Sequence, residues 1–116
     1  MMLGMADPRP TISTHVLDLE LGVPAAELSV ALFRLGDDGV PQLVSERQTD
    51  ADGRVASLLD EPLDVGDYQL LFDLASYHDD PFFQSVALAL RIDDVSRSHH
   101  VPLLLSPFGL SVYRGS

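Results

Sequence analysis

Cysteine, lysine, asparagine and tryptophan are all absent from this sequence of 116 residues. Without cysteine there is no disulfide framework, no zinc-thiolate site and no thiol nucleophile. Without lysine there is no Schiff-base catalysis, and all seven basic residues are arginine. The lack of asparagine removes N-glycosylation sites, and the lack of tryptophan removes an aromatic platform that sugar-binding sites favour. Histidine is then the side chain that titrates near neutral pH.

Positive charge is also scarce, since 18 acidic residues stand against seven arginines and give a formal net charge of -11. Such a chain repels phosphate backbones and anionic lipid, so nucleic acid and membrane surfaces are poor partners. No apolar run approaches the roughly 18 to 20 residues of a membrane span. The amino end lacks the cationic start and apolar run of a signal peptide. Together with a composition typical of a GC-rich bacterial genome, this predicts a cytoplasmic, bacterial protein.

The length predicts one domain with a two-layer core, and a hydrophobic content of 46% excludes global disorder. Residues 1–10 read as a flexible lead-in that is ended by Pro8 and Pro10. We expect residues 11–116 to form the folded domain.

Short stretches with an apolar period of two, separated by turn signals, predict an all-β fold. The clearest places Tyr68, Leu70, Phe72 and Leu74 on one face. Residues 75 to 81 are the one place where a helical turn fits. We therefore predict a Greek-key β-sandwich of seven to eight strands with one short helix near residues 75 to 80. The strands are expected at residues 12–18, 28–33, 43–49, 55–59, 66–74, 85–92, 101–105 and 110–113.

Three polar residues stand out as candidate functional groups. His15 shares a strand face with Ser13, Arg54 directly follows the turn 50–53, and His100 follows His99. Each also has a structural interpretation: a satisfied or half-exposed strand histidine, or a solvated arginine beside a loop. Adjacent strand histidines point to opposite faces, so they cannot chelate one ion together.

Metal binding is not indicated. The aspartates of the turn 50–53 resemble the start of a calcium loop, but the glutamate that should close a twelve-residue loop is missing. We predict a tight turn there, with Gly53 at positive φ, and no metal site.

The last four residues directly follow a predicted hydrophobic strand. They are Tyr113, Arg114, Gly115 and Ser116. A chain that stops at this point can place its terminal carboxylate and last side chains in a site. The alternative is a short polar end without a function.

Three segments, in this order and spacing, resemble a known family. They are Ser13-Thr14-His15-Val16-Leu17-Asp18 with Gly22 and Pro24, then Thr49-Asp50-Ala51-Asp52-Gly53-Arg54, then His100-Val101-Pro102-Leu103-Leu104-Leu105-Ser106-Pro107 through Tyr113-Arg114-Gly115-Ser116. The chain resembles the transthyretin-like proteins that act as 5-hydroxyisourate hydrolases.

That resemblance implies hydrolysis of 5-hydroxyisourate to 2-oxo-4-hydroxy-4-carboxy-5-ureidoimidazoline in urate degradation, without a cofactor. It implies a homotetramer that binds a small purine-derived substrate. It assigns catalysis to His15, Arg54, His100 and Ser116, and substrate binding to Arg54, Tyr113, Arg114 and Gly115. The general base stays open between His15 and His100. The alternative is a transthyretin-type protein that binds a small ligand without chemistry.

The sequence departs from the family pattern near the third segment. Ser98 and His99 precede His100 where His-Tyr-His is common, and Leu110 and Val112 stand where tyrosine and threonine are usual. The role therefore passes to His100, which directly precedes Val101-Pro102, and the wall of the site is altered.

Overall fold

The computed structural model describes residues 9–115, which form two packed β-sheets and one 3-10 turn. The strands are β1 (Ile12–Asp18), β2 (Val23–Pro24), β3 (Ser29–Leu35), β4 (Pro41–Gln48), β5 (Arg54–Val55), β6 (Gly66–Asp73), β7 (Ser85–Ile92), β8 (His99–Ser106) and β9 (Gly109–Val112). Seven of these nine strands have four residues or more, which confirms the predicted all-β sandwich.

The first sheet has the order β2-β1-β8-β9, and β5 also pairs with β1. The second sheet has the order β4-β3-β6-β7. The pair β1–β8 is parallel, and all the other pairs among the described strands are antiparallel. Parallel neighbours need a long crossover connection, and here the second sheet lies on the path between β1 and β8.

The core lies between the two sheets and is formed by the alternate residues of each strand. On β1, Ile12, Thr14 and Val16 are buried, while Ser13 and His15 lie half-buried on the opposite face. The predicted alternation is confirmed, because the side chains of Tyr68, Leu70 and Phe72 on β6, and that of Leu74 directly after it, are all buried. The polar face of β1 is thus held in place by the burial of its apolar face.

The predicted strand at residues 55–59 is wrong beyond its first residue. The structure has only Arg54–Val55 as strand, after which the chain leaves the ladder. Leu58 nevertheless enters the core and its N–H donates to the carbonyl of Ile12 at 2.9 Å. The hydroxyl of Ser57 accepts from the N–H of Leu59 at 3.2 Å, so a side chain replaces the strand partner.

The predicted short helix exists but is earlier and shorter than expected. It is a 3-10 turn at Leu74–Ser76, closed by N–H groups of Tyr77 and His78 on the carbonyl of Leu74. It does not continue to residue 80, because Asp80 has φ +49 and precedes Pro81. Neither positive φ nor the position before proline favours the α conformation.

In the range 9–115 the structure contains no helix of the length and hydrophobicity that a membrane span requires. Residues 1–8, which hold most of the predicted lead-in, and Ser116 lie outside the described residues. The division into a lead-in and a domain stays a prediction.

Candidate active site

The pairing of three strands brings three of the predicted site residues to one surface. His15 on β1 lies opposite Arg54 on β5, and Ser13, two residues earlier, lies opposite His100 on β8. Directly paired residues project to the same side of a sheet, as do residues i and i+2 of one strand. His15, Arg54 and His100 therefore share the outer face of the first sheet.

The position of Arg54 is set by the turn 50–54. The carboxylate of Asp50 accepts from the N–H groups of Asp52 and Arg54, each at 2.9 Å. Gly53 has φ +76, as predicted, and a Cβ there would overlap the carbonyl oxygen of Val16. Only glycine fits this close approach of the turn to β1. Within residues 9–115 the exposed guanidinium of Arg54 makes no hydrogen bond or ion pair, so its donors are available to a ligand.

The same turn fixes the ring of His15. Nε2 of His15 lies 2.8 Å from the carbonyl oxygen of Asp52. A carbonyl oxygen can only accept, so Nε2 carries the hydrogen and Nδ1 is the available nitrogen of the neutral ring.

His100 lies half-buried at the other side of this surface, and its Nδ1 is 2.8 Å from Oγ of Ser13. Burial lowers the pKa of His100 below its ordinary value, and the nearby Arg54 and His15 lower it further. A hydrogen bond with the backbone of Ser13 acts in the opposite direction without reversing the shift. At neutral pH His100 is therefore a neutral imidazole that can accept a proton.

Gly115 closes over His100. Its N–H donates to the carbonyl of His100 at 2.8 Å, and the two residues form a β-bridge beyond the end of β9. Between them the ladder is interrupted, because Pro102 has no N–H and pairs with Tyr113 through a single 3.4 Å bond from the N–H of Tyr113. The side chain of Tyr113 is 54% exposed.

Arg114 lines a cavity of about 460 Å³ at the open edge of the sandwich, and Tyr113 lines it as well. The wall of this cavity also includes His99, Val101 and Val112. These three residues belong to the inward-facing rows of β8 and β9. His99 is buried, and its Nε2 lies 2.7 Å from the carbonyl of Asp94, which confirms that the adjacent histidines face opposite sides.

An apolar strip adjoins the polar groups on the same outer face. Leu17 pairs with Leu104, and both remain half-buried although they point away from the core. The surface thus combines the guanidinium of Arg54 and the imidazoles of His15 and His100 with this apolar strip. This arrangement suits a flat, polar heterocycle whose carbonyl oxygens face Arg54.

Comparison with known proteins places this geometry in context. The model of the HIUase/Transthyretin family matches residues 12–115. The chain belongs to this family. It is 41% identical to the 5-hydroxyisourate hydrolase of Deinococcus radiodurans, over 92% of this chain and 97% of that protein. It is also 40% identical to the uric acid degradation bifunctional protein TTL of Arabidopsis thaliana, of which it spans only 38%.

Solved structures of the HIUase/Transthyretin family have the same fold. The 5-hydroxyisourate hydrolase of Klebsiella pneumoniae superimposes with a TM-score of 0.81 at 32% identity, covering 92% of this chain and 99% of that one. Transthyretin from Sparus aurata reaches a TM-score of 0.84 at 24% identity, covering 92% and 97% of the two chains, and shows the fold alone.

Two features of this HIUase/Transthyretin chain were not assigned from the sequence. Ser13 was placed on the same face as His15 but given no role, although the strand alternation was enough to put a hydroxyl near the site. The role of the Asp52 carbonyl could not be predicted from the sequence, because every residue has a backbone carbonyl.

The remaining histidine, His78, belongs to a separate cluster. Among residues 9–115, ligand atoms of Asp18, Glu20 and His78 lie within 4.8 Å of one another. The buried Asp18 carboxylate already accepts from the hydroxyl of Tyr77 at 2.8 Å and from the N–H groups of Glu20 and Leu21. This cluster holds the end of β1 against the segment after the 3-10 turn.

Proposed function

We propose that this chain hydrolyses 5-hydroxyisourate to 2-oxo-4-hydroxy-4-carboxy-5-ureidoimidazoline in urate degradation. The observation that carries the proposal is the meeting of His15, Arg54 and His100 on one face of the first sheet. Membership of the HIUase/Transthyretin family and identities of 36–41% to 5-hydroxyisourate hydrolases agree with it. The reaction needs no cofactor in this scheme.

In the proposed mechanism His100 is the general base. Its pKa lies below the ordinary histidine value, so the neutral form is present at physiological pH. Nε2 of His100 takes a proton from water while the water oxygen bonds to the ring carbonyl carbon. The carbon–nitrogen bond then breaks, the carbonyl carbon becomes a carboxylate, and the leaving nitrogen receives a proton.

His15 and Arg54 have complementary roles in this scheme. Arg54 binds the substrate and stabilises the oxyanion that develops at the attacked carbonyl, with donors that have no competing protein partner in the described residues. His15 orients the water as an acceptor at Nδ1, or, when the ring carries a second proton there, donates that proton to the leaving nitrogen. The positive charge of Arg54 also attracts an electron-rich substrate to a strongly acidic chain.

The last four residues complete the proposed pocket. Gly115 packs on His100 and Tyr113 is exposed beside it, which supports a role in enclosing the substrate. Arg114 is proposed to bind substrate, and its position in the edge cavity requires its long side chain to reach around the end of β9. Ser116 is proposed as a catalytic residue from the resemblance alone.

We also propose that the protein is a homotetramer with its sites between subunits. Among the described residues, the eight-residue strands β4 and β7 and the four-residue strand β9 lie at sheet edges, and unpaired edges favour strand addition. Ala87 and Ala89 on β7 are small and exposed, so a second sheet can approach closely. Leu19, Leu21 and Phe108 are 56%, 65% and 81% exposed, which favours a protein partner over water. Light scattering coupled to gel filtration should give the mass of four chains, and a monomer at micromolar concentration would contradict the proposal.

We also propose that the protein is cytoplasmic and bacterial, and that residues 11–116 form its folded domain. The composition supports the first, although relatives occur in bacteria and in eukaryotes such as Schizosaccharomyces pombe. Limited proteolysis followed by mass spectrometry tests the second, because cleavage should be confined to residues 1–10.

The test of function uses 5-hydroxyisourate generated immediately before mixing, with a protein-free blank. The protein should accelerate the disappearance of its absorbance far above the blank, and a His100→Ala variant should return the rate close to the blank. A transthyretin-type binding protein would instead bind the compound stoichiometrically without increasing its decay. That result would replace the hydrolase proposal with the binding alternative.

A further inference from the structure

Ser13 and His100 face each other across the parallel pair β1–β8. Their Cα atoms are register partners, and Oγ of Ser13 lies 2.8 Å from Nδ1 of His100. The contact is partly buried, and it joins residues 87 positions apart. A strand pair with fixed register therefore presents one hydroxyl to one imidazole nitrogen.

The roles of the two ring nitrogens follow from this contact. Because Ser13 occupies Nδ1, Nε2 is the ring nitrogen that can face the attacking water. A neutral imidazole accepts a proton only at the nitrogen without a hydrogen, so Nε2 can act as the base only when Nδ1 carries the hydrogen. The hydroxyl of Ser13 can accept that hydrogen.

The other side of the ring is bounded by Gly115. A Cβ built on Gly115 would lie 2.8 Å from Cδ2 of His100 and 3.4 Å from its Cβ and Cγ. The ring is thus held between the Ser13 hydroxyl and the Gly115 backbone. Within residues 9–115 the remaining nitrogen, Nε2, makes no hydrogen bond.

His15 has the opposite arrangement, because its Nε2 donates to the carbonyl of Asp52. The two histidines therefore present different ring nitrogens to the site. In a neutral imidazole the nitrogen without a hydrogen is set by the bond that the other nitrogen makes.

We propose that Ser13 is a positioning residue that holds neutral His100 in the Nδ1–H tautomer, so that Nε2 is the atom that accepts the proton from water. Ser13 touches neither water nor substrate in this role and acts through His100. The assignment rests on the proposed hydrolase function for its catalytic consequence, but the tautomer is a property of the protein alone.

The experiment combines nitrogen NMR with steady-state kinetics. In protein labelled with ¹⁵N-histidine, two-bond ¹H–¹⁵N correlation spectra at neutral pH should show His100 with protonated Nδ1 and unprotonated Nε2. Ser13→Val, which keeps the shape of threonine but has no hydroxyl, should shift this pattern towards the Nε2–H tautomer. The same variant should lower kcat by about 10- to 100-fold with little change in KM, since it misplaces a base without removing it. Ser13→Thr should restore both the spectrum and kcat.

Ser57→Ala is the matched control, because it removes a serine hydroxyl that contacts Thr11 at 2.6 Å and does not touch His100. It should leave the His100 spectrum and kcat unchanged. Ser13→Ala serves in place of Ser13→Val if the larger side chain prevents folding. An unchanged His100 tautomer or an unchanged kcat in a folded Ser13 variant would overturn the positioning role. A parent protein with the expected tautomer but no turnover would overturn the hydrolase proposal instead.

Discussion

A Cβ atom on Gly115 would lie 2.8 Å from Cδ2 of the His100 imidazole, closer than side-chain carbons approach one another. We expect Gly115→Ala to push the His100 ring out of place and to lower kcat by about 100-fold, because a displacement on the order of 1 Å costs that much in a catalytic site. The melting temperature should change little, since Gly115 follows the last strand. Gly109→Ala is the matched control, because its Cβ would meet only Ser106 Oγ at an ordinary 3.5 Å. Equal kcat values for Gly115→Ala and the parent would contradict the close fit.

Arg54 and His100 are coupled electrostatically, and this coupling predicts a pH effect. Only neutral His100 can act as the base, so kcat/KM should rise with pH through a pKa below 6.5 and level off at neutral pH. In Arg54→Ala the loss of a positive neighbour raises the pKa of His100, so the acid limb should move to higher pH. The plateau should also fall by about 10² to 10³ through lost oxyanion stabilisation. Arg47→Ala, which breaks a 2.8 Å ion pair with Asp60 away from the site, should change neither quantity.

The four histidines should divide into two groups in a rate assay. His15→Ala and His100→Ala should each lower kcat/KM by about 10² to 10⁴, the usual loss when one acid–base group is removed. His78→Ala and His99→Gln should retain the parent rate, because these rings contact Asp18 and the Asp94 carbonyl instead of the site. A parent-like rate for His100→Ala would remove the proposed base.

The hydrogen bond between Tyr77 and Asp18 should contribute to the stability of the fold and not to the reaction rate. Burial alone raises the pKa of Asp18, but hydrogen bonds from Leu21, Tyr77 and Glu20, with the nearby His78, outweigh it and lower the pKa below 3.8. Burial and the bond to Asp18 raise the pKa of Tyr77 to about 12, so its hydroxyl stays a donor at neutral pH.

Because the folded pKa of Asp18 is depressed, its contribution is present above pH 3.8 and is lost as pH falls through the folded value. Tyr77→Phe should lower the free energy of unfolding in urea at pH 7 by about 1.5 to 3 kcal/mol. It should also move acid unfolding to higher pH. Tyr113→Phe, at a tyrosine that is 54% exposed, should leave both unchanged.

Removing residues 113–116 should separate folding from activity. The segment follows β9, and in its described part, residues 113–115, two backbone hydrogen bonds join it to β8, from Tyr113 to Pro102 and from Gly115 to His100. We expect the shortened chain to keep its far-ultraviolet circular dichroism while turnover of 5-hydroxyisourate disappears. Normal turnover by the folded, shortened chain would show that the tetrapeptide is dispensable.

The sequence was sufficient for the sandwich because its strands carry a strict period of two. The alternation from Tyr68 to Leu74 leaves one face that can be buried, and β6 follows it residue by residue. The strand prediction failed at residues 56–59. Leu58 is apolar and buried, but its N–H donates to the carbonyl of Ile12 and the strand ladder does not continue. Burial without strand pairing leaves no signal in a hydrophobic pattern.

The site was predicted only as a set of residue types. His15, Arg54 and His100 could be named, but their proximity depends on the parallel pairing of β1 with β8, which links residues 87 positions apart. The roles of a hydroxyl and a backbone carbonyl, at Ser13 and Asp52, depend on register and turn geometry that local patterns do not specify. The sequence was enough to predict the functional side chains, but not the hydroxyl and the carbonyl that orient them.

Loop length should not vary freely everywhere in this molecule. One residue added between Asp50 and Arg54 would displace the carbonyl that holds His15, the glycine that fits against Val16, and the guanidinium itself. The β3–β4 hairpin loop at 36–40 is exposed and contacts none of these groups. Insertions among natural relatives, and grafted peptides in engineered versions, should therefore collect at that hairpin and avoid the five-residue turn.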